Sequence, residues 1–301
     1  MTVVFEQVFI LVAFAVMGFV IAKMNIVDAT QTKSITALLV YVFSSCNTLK
    51  TFATNFTVEF ITTNYLLLIA SLIVLGVLVV VTFFIAKPLS ESKYERYVYQ
   101  YSLIMANFGY MGYALAEALF GAEGLIAVMV FGIPMTMYIY VISFCILTKR
   151  PISGKGLLNV MTITMVIGIV IGLSGIQLPN VVTSILDTSR VCMGPTAMIL
   201  AGIAISRFKF GEILCNWKVY YITAYRLIII PLVFGIALRY FFPMYVVQAA
   251  VIILSLPCGL NTIVYPELVG EDCKIGAGLA LVSSIFCCGT IPIVFNILGI
   301  M

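Results

Sequence analysis

Ten apolar stretches, each about as long as a helix must be to cross a lipid bilayer, follow one another along the chain with only short polar links between them. They lie at approximately 3–22, 34–54, 64–86, 97–117, 124–147, 157–175, 181–206, 217–239, 245–266 and 275–298. Hydrocarbon offers no water to a backbone N–H or C=O. Runs of this length therefore fold as α-helices, whose hydrogen bonds close within the segment. Only 9% of residues are charged, against about a quarter in soluble domains. The fold class that follows is an all-α polytopic membrane protein with ten spans. The first run carries Glu6 and has no basic residue before it, so it reads as a spanning helix and not as a cleavable signal.

Charge orients the spans. If the links alternate sides, one side collects Lys23, Lys33, Lys87, Lys93, Arg96, Lys149, Arg150, Lys155, Arg207, Lys209, Lys218 and Lys274, and the other only Lys50 and Arg239. Twelve against two makes the rich side cytoplasmic and puts both termini outside, in a multi-pass protein of the plasma (cell inner) membrane. The net charge of +4 then needs no nucleic-acid partner, and the bilayer is the partner expected. A chain without histidine has no His-based triad, HExxH zinc site or ordinary haem ligand, so neither enzymatic activity nor a cofactor is expected. Its eight cysteines show no CxxC spacing and mostly fall in apolar segments, where they read as small buried hydrophobes.

The link 148–156 divides the spans into five and five: a first repeat at 1–147, a cytoplasmic linker, and a second repeat at 157–301. An odd number of spans per half makes the second half enter the membrane inverted. At an offset of 150, Asn107 aligns with Pro257, Gly109 with Gly259 and Glu117 with Glu267.

Those alignments fall on two weak points. Span 4 carries Asn107, Gly109 and Gly112, and span 9 carries Pro257, Cys258, Gly259 and Asn261, where an ordinary membrane helix carries Leu, Ile or Val. Proline lacks an N–H and collides with the preceding turn, and glycine lowers the cost of leaving the helical state. In a single span such residues also serve close helix packing. Two at matched positions near mid-span read as broken half-helices that meet at a transport site built on Asn107, Gly109, Gly112, Pro257, Cys258 and Asn261. Half-helix N-termini favour anions, and the two carboxamides can donate and accept.

Charged residues inside or at the ends of spans complete the candidate list. Asp187 and Arg190, three apart in span 7, share a face. They read as a mutual pair, as a helix end near the interface, or as an Asp that tunes an Arg beside the substrate path. Arg226, well inside span 8, has a carboxylate substrate or a helix C-terminus as its expected partner, or else snorkels to the cytoplasmic side. Glu117 and Glu267 stand at the ends of spans 4 and 9 and read as gate or interface groups. Positions 97–116 and 245–265 hold no Asp or Glu, which suits an organic anion better than a cation antiporter.

The motifs Asn107-Phe108-Gly109-Tyr110-Met111-Gly112, Gly194-Pro195-Thr196-Ala197-Met198-Ile199-Leu200-Ala201-Gly202, Arg226-Leu227 with Pro231, and Leu256-Pro257-Cys258 with Asn261 resemble the auxin efflux carrier family. That family includes plant auxin exporters and bacterial malate or malonate permeases, and the chain looks like one of its bacterial, permease-like members. The resemblance implies a 5+5 inverted repeat in which broken spans 4 and 9 cross. It also implies a scaffold of spans 1, 2, 6 and 7, and a transport domain of spans 3–5 and 8–10 that moves as an elevator. Where members often carry proline in span 2, this chain reads Ser44-Ser45-Cys46-Asn47-Thr48, which brings Cys46 and Asn47 into the candidate substrate-binding set with Arg226; it also has Ala114 where members often carry proline in span 4. The function expected is secondary transport of a small organic anion, auxin-like or a dicarboxylate, by a monomer or a homodimer. A sodium- or proton-coupled symporter of the bile-acid-transporter type, a channel and a non-transporting solute sensor are the alternatives.

Overall fold

A computed structural model describes residues 2–28, 32–209, 211 and 215–300. Within them the chain is helical throughout and has no strand, only one antiparallel bridge between Ala106 and Cys258. We number the main helices α1 Thr2–Lys23, α2 Thr32–Asn55, α3 Tyr65–Leu89, α4 Lys93–Ile104, α5 Tyr113–Leu147, α6 Val160–Ser174, α7 Asn180–Ser206, α8 Trp217–Arg239, α9 Met244–Ser255, α10 Asn261–Val269 and α11 Lys274–Ile297. Among the described residues, α2, α3, α5, α7, α8 and α11 are long and apolar enough to cross a membrane by length and composition. Shorter apolar helices are α6, α9 and the Val8–Lys23 part of α1. Large apolar side chains such as Phe9, Val80, Phe84 and Val170 stand exposed around the outside, as a lipid-facing surface requires.

The helix ends follow local chemistry. Thr57, Ser92, Asn159 and Asn216 each accept a hydrogen bond from a backbone N–H of the first turn they precede, and left-handed Gly175 and Gly270 close α6 and α10. Gly121 adopts φ 66 and ψ −158, a region that is essentially glycine-only, and so cuts α5 into 113–120 and 122–147. The first piece continues span 4 and the second lies over span 5.

Span 4 leaves the helix at Met105, four residues before the first of the glycines that the sequence singles out. α4 ends at Ile104, Met105 is extended (φ −102, ψ 126), and helix resumes with a wide i→i+5 turn over Phe108–Gly112 that runs into α5. Proline is not needed, because the opposite break supplies the hydrogen bonds that the helix gives up. The Asn107 N–H donates to the Pro257 carbonyl (2.9 Å) and the Gly259 N–H to the Met105 carbonyl (3.0 Å). In span 9 the break is local. Leu256 is held extended (φ −75, ψ 156) by the proline that follows it.

Two helix pairs pack backbone to backbone. A Cβ at Gly18 of α1 would strike the Ile199 carbonyl of α7, and one at Gly202 of α7 the Ala15 carbonyl of α1. Gly168 and Gly172 of α6 lie closely, though less tightly, against Leu49, Phe52 and Phe56 of the α2 segment. Glycines thus let both pairs approach where no hydrophobic force drives helices together. Helices α3, α5, α8 and α11 pack around α9, whose residues from Ala249 to Ser255 are all no more than 1% exposed; a helix apolar on every side belongs inside the protein.

Candidate functional site

The two breaks lie against each other, joined by the hydrogen bonds above and by the Ala106–Cys258 bridge. The contact is close: a Cβ on Gly112 would come within 2.7 Å of Leu256 Cδ1, and one on Gly259 within 3.2 Å of the Tyr101 hydroxyl. Ser283 of α11 secures the second break from behind, accepting from the Cys258 N–H at 3.0 Å.

Four half-helix ends therefore meet in one place, and they differ in what they face. The C-terminal ends of α4 and α9 face Arg226. Its Nη1 donates to the carbonyls of Leu103 (3.1 Å) and Ile104 (3.5 Å), its Nη2 to Ile253 (3.0 Å) and its Nε to Leu256 (3.3 Å). The side chain is 0% exposed, and among the described residues no carboxylate forms an ion pair with it. It sits on another wide turn, Tyr225–Ile229, in a helix where Pro231 offers no N–H to the preceding turn. Of the partners expected for Arg226, the structure provides helix C-termini, two of them, and keeps the guanidinium off the cavity wall.

The N-terminal ends of the second pieces, at Phe108 and Asn261, face a cavity of about 80 Å³. No side chain caps either end. The cavity is lined by Asn107, Gly109 and Asn261 from the two breaks, by Asn47 and Ser44 of α2, and by several tyrosines, including Tyr101, Tyr113 and Tyr140. The Asn261 Nδ2 donates to the Tyr101 hydroxyl at 2.9 Å, which fixes its carboxamide. Asn107 is buried, and the Tyr140 hydroxyl stands beside Asn47 and Thr48.

The structure thus brings together Asn47, Asn107, Gly109 and Asn261 around one cavity and keeps Gly112, Pro257 and Cys258 just behind it as packing and backbone elements. Cys46 is half-buried and does not line the cavity. Asp187 pairs with Lys50 of α2 and not with Arg190, whose guanidinium lies over the Tyr113 ring, 5.7 Å from its centre. The two matched glutamates part company. Glu117 is exposed, whereas Glu267 at the end of α10 is buried, with an ion pair to Arg207 of the α7 C-cap and a hydrogen bond from Thr32 Oγ1 of α2. The Cys273 Sγ lies 3.2 Å from Glu267, and burial, with that carboxylate beside it, pushes the thiol pKa up.

Sequence reasoning passed over Tyr101, Tyr113, Tyr140 and Ser283. Each lies in a run of apolar and aromatic residues that reads as core, and only Tyr101 and Tyr113 carried any signal, tyrosines within about a turn of the weak point in span 4.

The profile of a family described as "Membrane transport protein" matches residues 3–156, just over half of the chain. No curated protein matches it.

Proposed function

The chain belongs to the membrane transport protein family, the auxin efflux carrier family that its motifs resemble, and on that premise we propose that it is a secondary carrier of small organic anions. The observation that carries the reading is the division of labour at the crossing. Both half-helix C-termini are neutralised from within by Arg226, whereas both N-termini open uncapped onto a cavity with three carboxamides and several hydroxyls on its wall. Positive helix ends without a side-chain cap select a carboxylate.

The proposed architecture is a 5+5 inverted repeat with α1, α2, α6 and α7 as scaffold and α3–α5 and α8–α11 as the moving unit. Its support is the pairing pattern. α1 on α7 becomes α6 on α2 when the halves are exchanged, and α3 on α4 becomes α8 on α9. The cavity lies between the two sets of helices. At about 80 Å³ the cavity is small for a dicarboxylate, and on this reading it widens when the sets shift. The orientation with both termini outside places Arg207–Glu267, Lys149–Glu271 and Lys218–Glu91 on the cytoplasmic side.

Asn261→Ala tests the site. In liposomes on a supported membrane, jumps of malate, malonate or indole-3-acetate are expected to give a saturable signal without a sodium or proton gradient. Asn261→Ala is expected to lower apparent affinity about 10- to 100-fold, the loss of one hydrogen bond to a charged group, while the protein stays monodisperse. Unchanged transport in that variant removes the crossing from the mechanism. A signal that appears only with sodium or protons makes the protein a coupled symporter.

A further inference from the structure

We propose that Arg226 is a tethered cation occupying the place where a carrier of this build would hold a diffusible coupling ion. The inference rests on the carrier reading above and deepens it by assigning the coupling. Carriers with broken helices hold sodium ions or protons at unwound carbonyls and half-helix C-termini, because these ends carry partial negative charge and free lone pairs. Such a cage is present here. The carbonyls of Leu103 and Ile104 come from the end of α4, and those of Ile253 and Leu256 from the end of α9 and the residue that follows it. All four accept from one guanidinium at 3.0–3.5 Å.

Two further facts separate this from an ordinary buried ion pair. Among the described residues no carboxylate balances Arg226, and no Asp or Glu lies in 97–116 or 245–265, so the carbonyl ends are what the charge answers to. The guanidinium, moreover, is covalently part of the chain, so this cation does not leave. Arg226 acts as a positioning residue. It ties the two half-helices together at their C-terminal ends and leaves their N-terminal ends to the substrate. A carrier with its cation built in needs none from solution.

The test replaces the tether. Arg226→Ala removes both charge and donors, Arg226→Gln keeps donors without charge, and Arg226→Lys keeps charge with a different shape. Each is purified in detergent and its unfolding temperature read in choline chloride, then with sodium, potassium or methylguanidinium added at constant ionic strength. The wild type is expected to be indifferent to the cation. Arg226→Ala is expected to unfold on the order of 10 °C lower, and to regain part of the loss saturably with methylguanidinium or sodium. If Arg226→Ala does not fold, the comparison of Lys with Gln decides: the proposal requires Lys to be the more stable. Folded Arg226→Ala with no cation response, or Gln equal to Lys, overturns it. The unfolding readout needs no substrate. A wild type silent towards every anion therefore rejects the carrier reading and leaves this test standing, whereas a sodium requirement in an active wild type rejects the tethered cation alone.

Discussion

Gly202→Leu is expected to yield no monodisperse protein, whereas Gly76→Leu is expected to behave as the wild type. Both glycines sit inside apolar helices. A Cβ at Gly76 meets nothing within 4 Å, but one at Gly202 runs into the Ala15 carbonyl and the Phe19 nitrogen of α1. Overpacking usually costs about 1–3 kcal/mol, because neighbouring side chains change rotamer to relieve it. Backbone atoms have no rotamer, so here α1 and α7 must separate along their whole contact. Size-exclusion profiles of the two variants, expressed side by side, check the expectation. A normal peak for Gly202→Leu would show that the α1–α7 joint is looser than the structure has it.

The second large effect belongs to Glu267. Its carboxylate lies between α10 and the α2 and α7 ends, with Arg207 and Thr32 as partners and Cys273 sealed beside it at 2% exposure. Glu267→Ala leaves Arg207 beside the Cys273 thiol without its counter-charge. Losing a fully buried partner costs about 3–5 kcal/mol, and the 28% exposure of Arg207 lets water recover part of that. A loss of roughly 2 kcal/mol is expected, which raises the population of the opened end by more than tenfold at about 1.4 kcal/mol per decade. In a background from which exposed Cys192 and Cys215 have been removed, a water-soluble maleimide should then label Cys273 more than tenfold faster than in the parent. An unchanged rate would mean that Glu267 does not hold that end closed. Removing Arg207 as well should recover part of the stability, because the stranded charge is what costs most.

Much of this was legible in the sequence, for reasons that can be named. Bilayer length and the backbone's need for internal hydrogen bonds leave apolar runs little choice, and helices stand over the stretches read at 64–86, 181–206, 217–239 and 275–298 within a few residues. Pro257 announced the break in span 9 because its effects are local: a missing N–H and a restricted Leu256. Span 4 was harder. Its break depends on Met105 and Asn107 finding partners about 150 positions away, and no local propensity encodes a hydrogen bond to Pro257 or Gly259. The same limit explains Arg226 and Asp187. Sequence shows that an intramembrane charge must be answered, but Arg226 is answered by carbonyls, which every residue carries, and Asp187 by Lys50, a residue assigned by sequence only to a side of the membrane. Asn261 was found from its place beside Pro257, whereas the Tyr101 hydroxyl that orients it needed coordinates.

The unbalanced Arg226 also bears on how membrane voltage acts on the cycle. If the set α3–α5 and α8–α11 moves as proposed, it carries one fixed positive charge with it whether or not substrate is bound. A bound monoanion cancels that charge, so the loaded step is indifferent to voltage and the empty return feels it. A bound dianion reverses the sign, and then both steps feel the field, in opposite directions. A charge that crosses the whole field gains or loses about 2.3 kcal/mol per 100 mV. The translocation of a bound monocarboxylate should therefore be insensitive to the holding potential and that of a bound dicarboxylate sensitive to it, and a voltage-sensitive monocarboxylate step would mean that Arg226 stays still while the substrate moves.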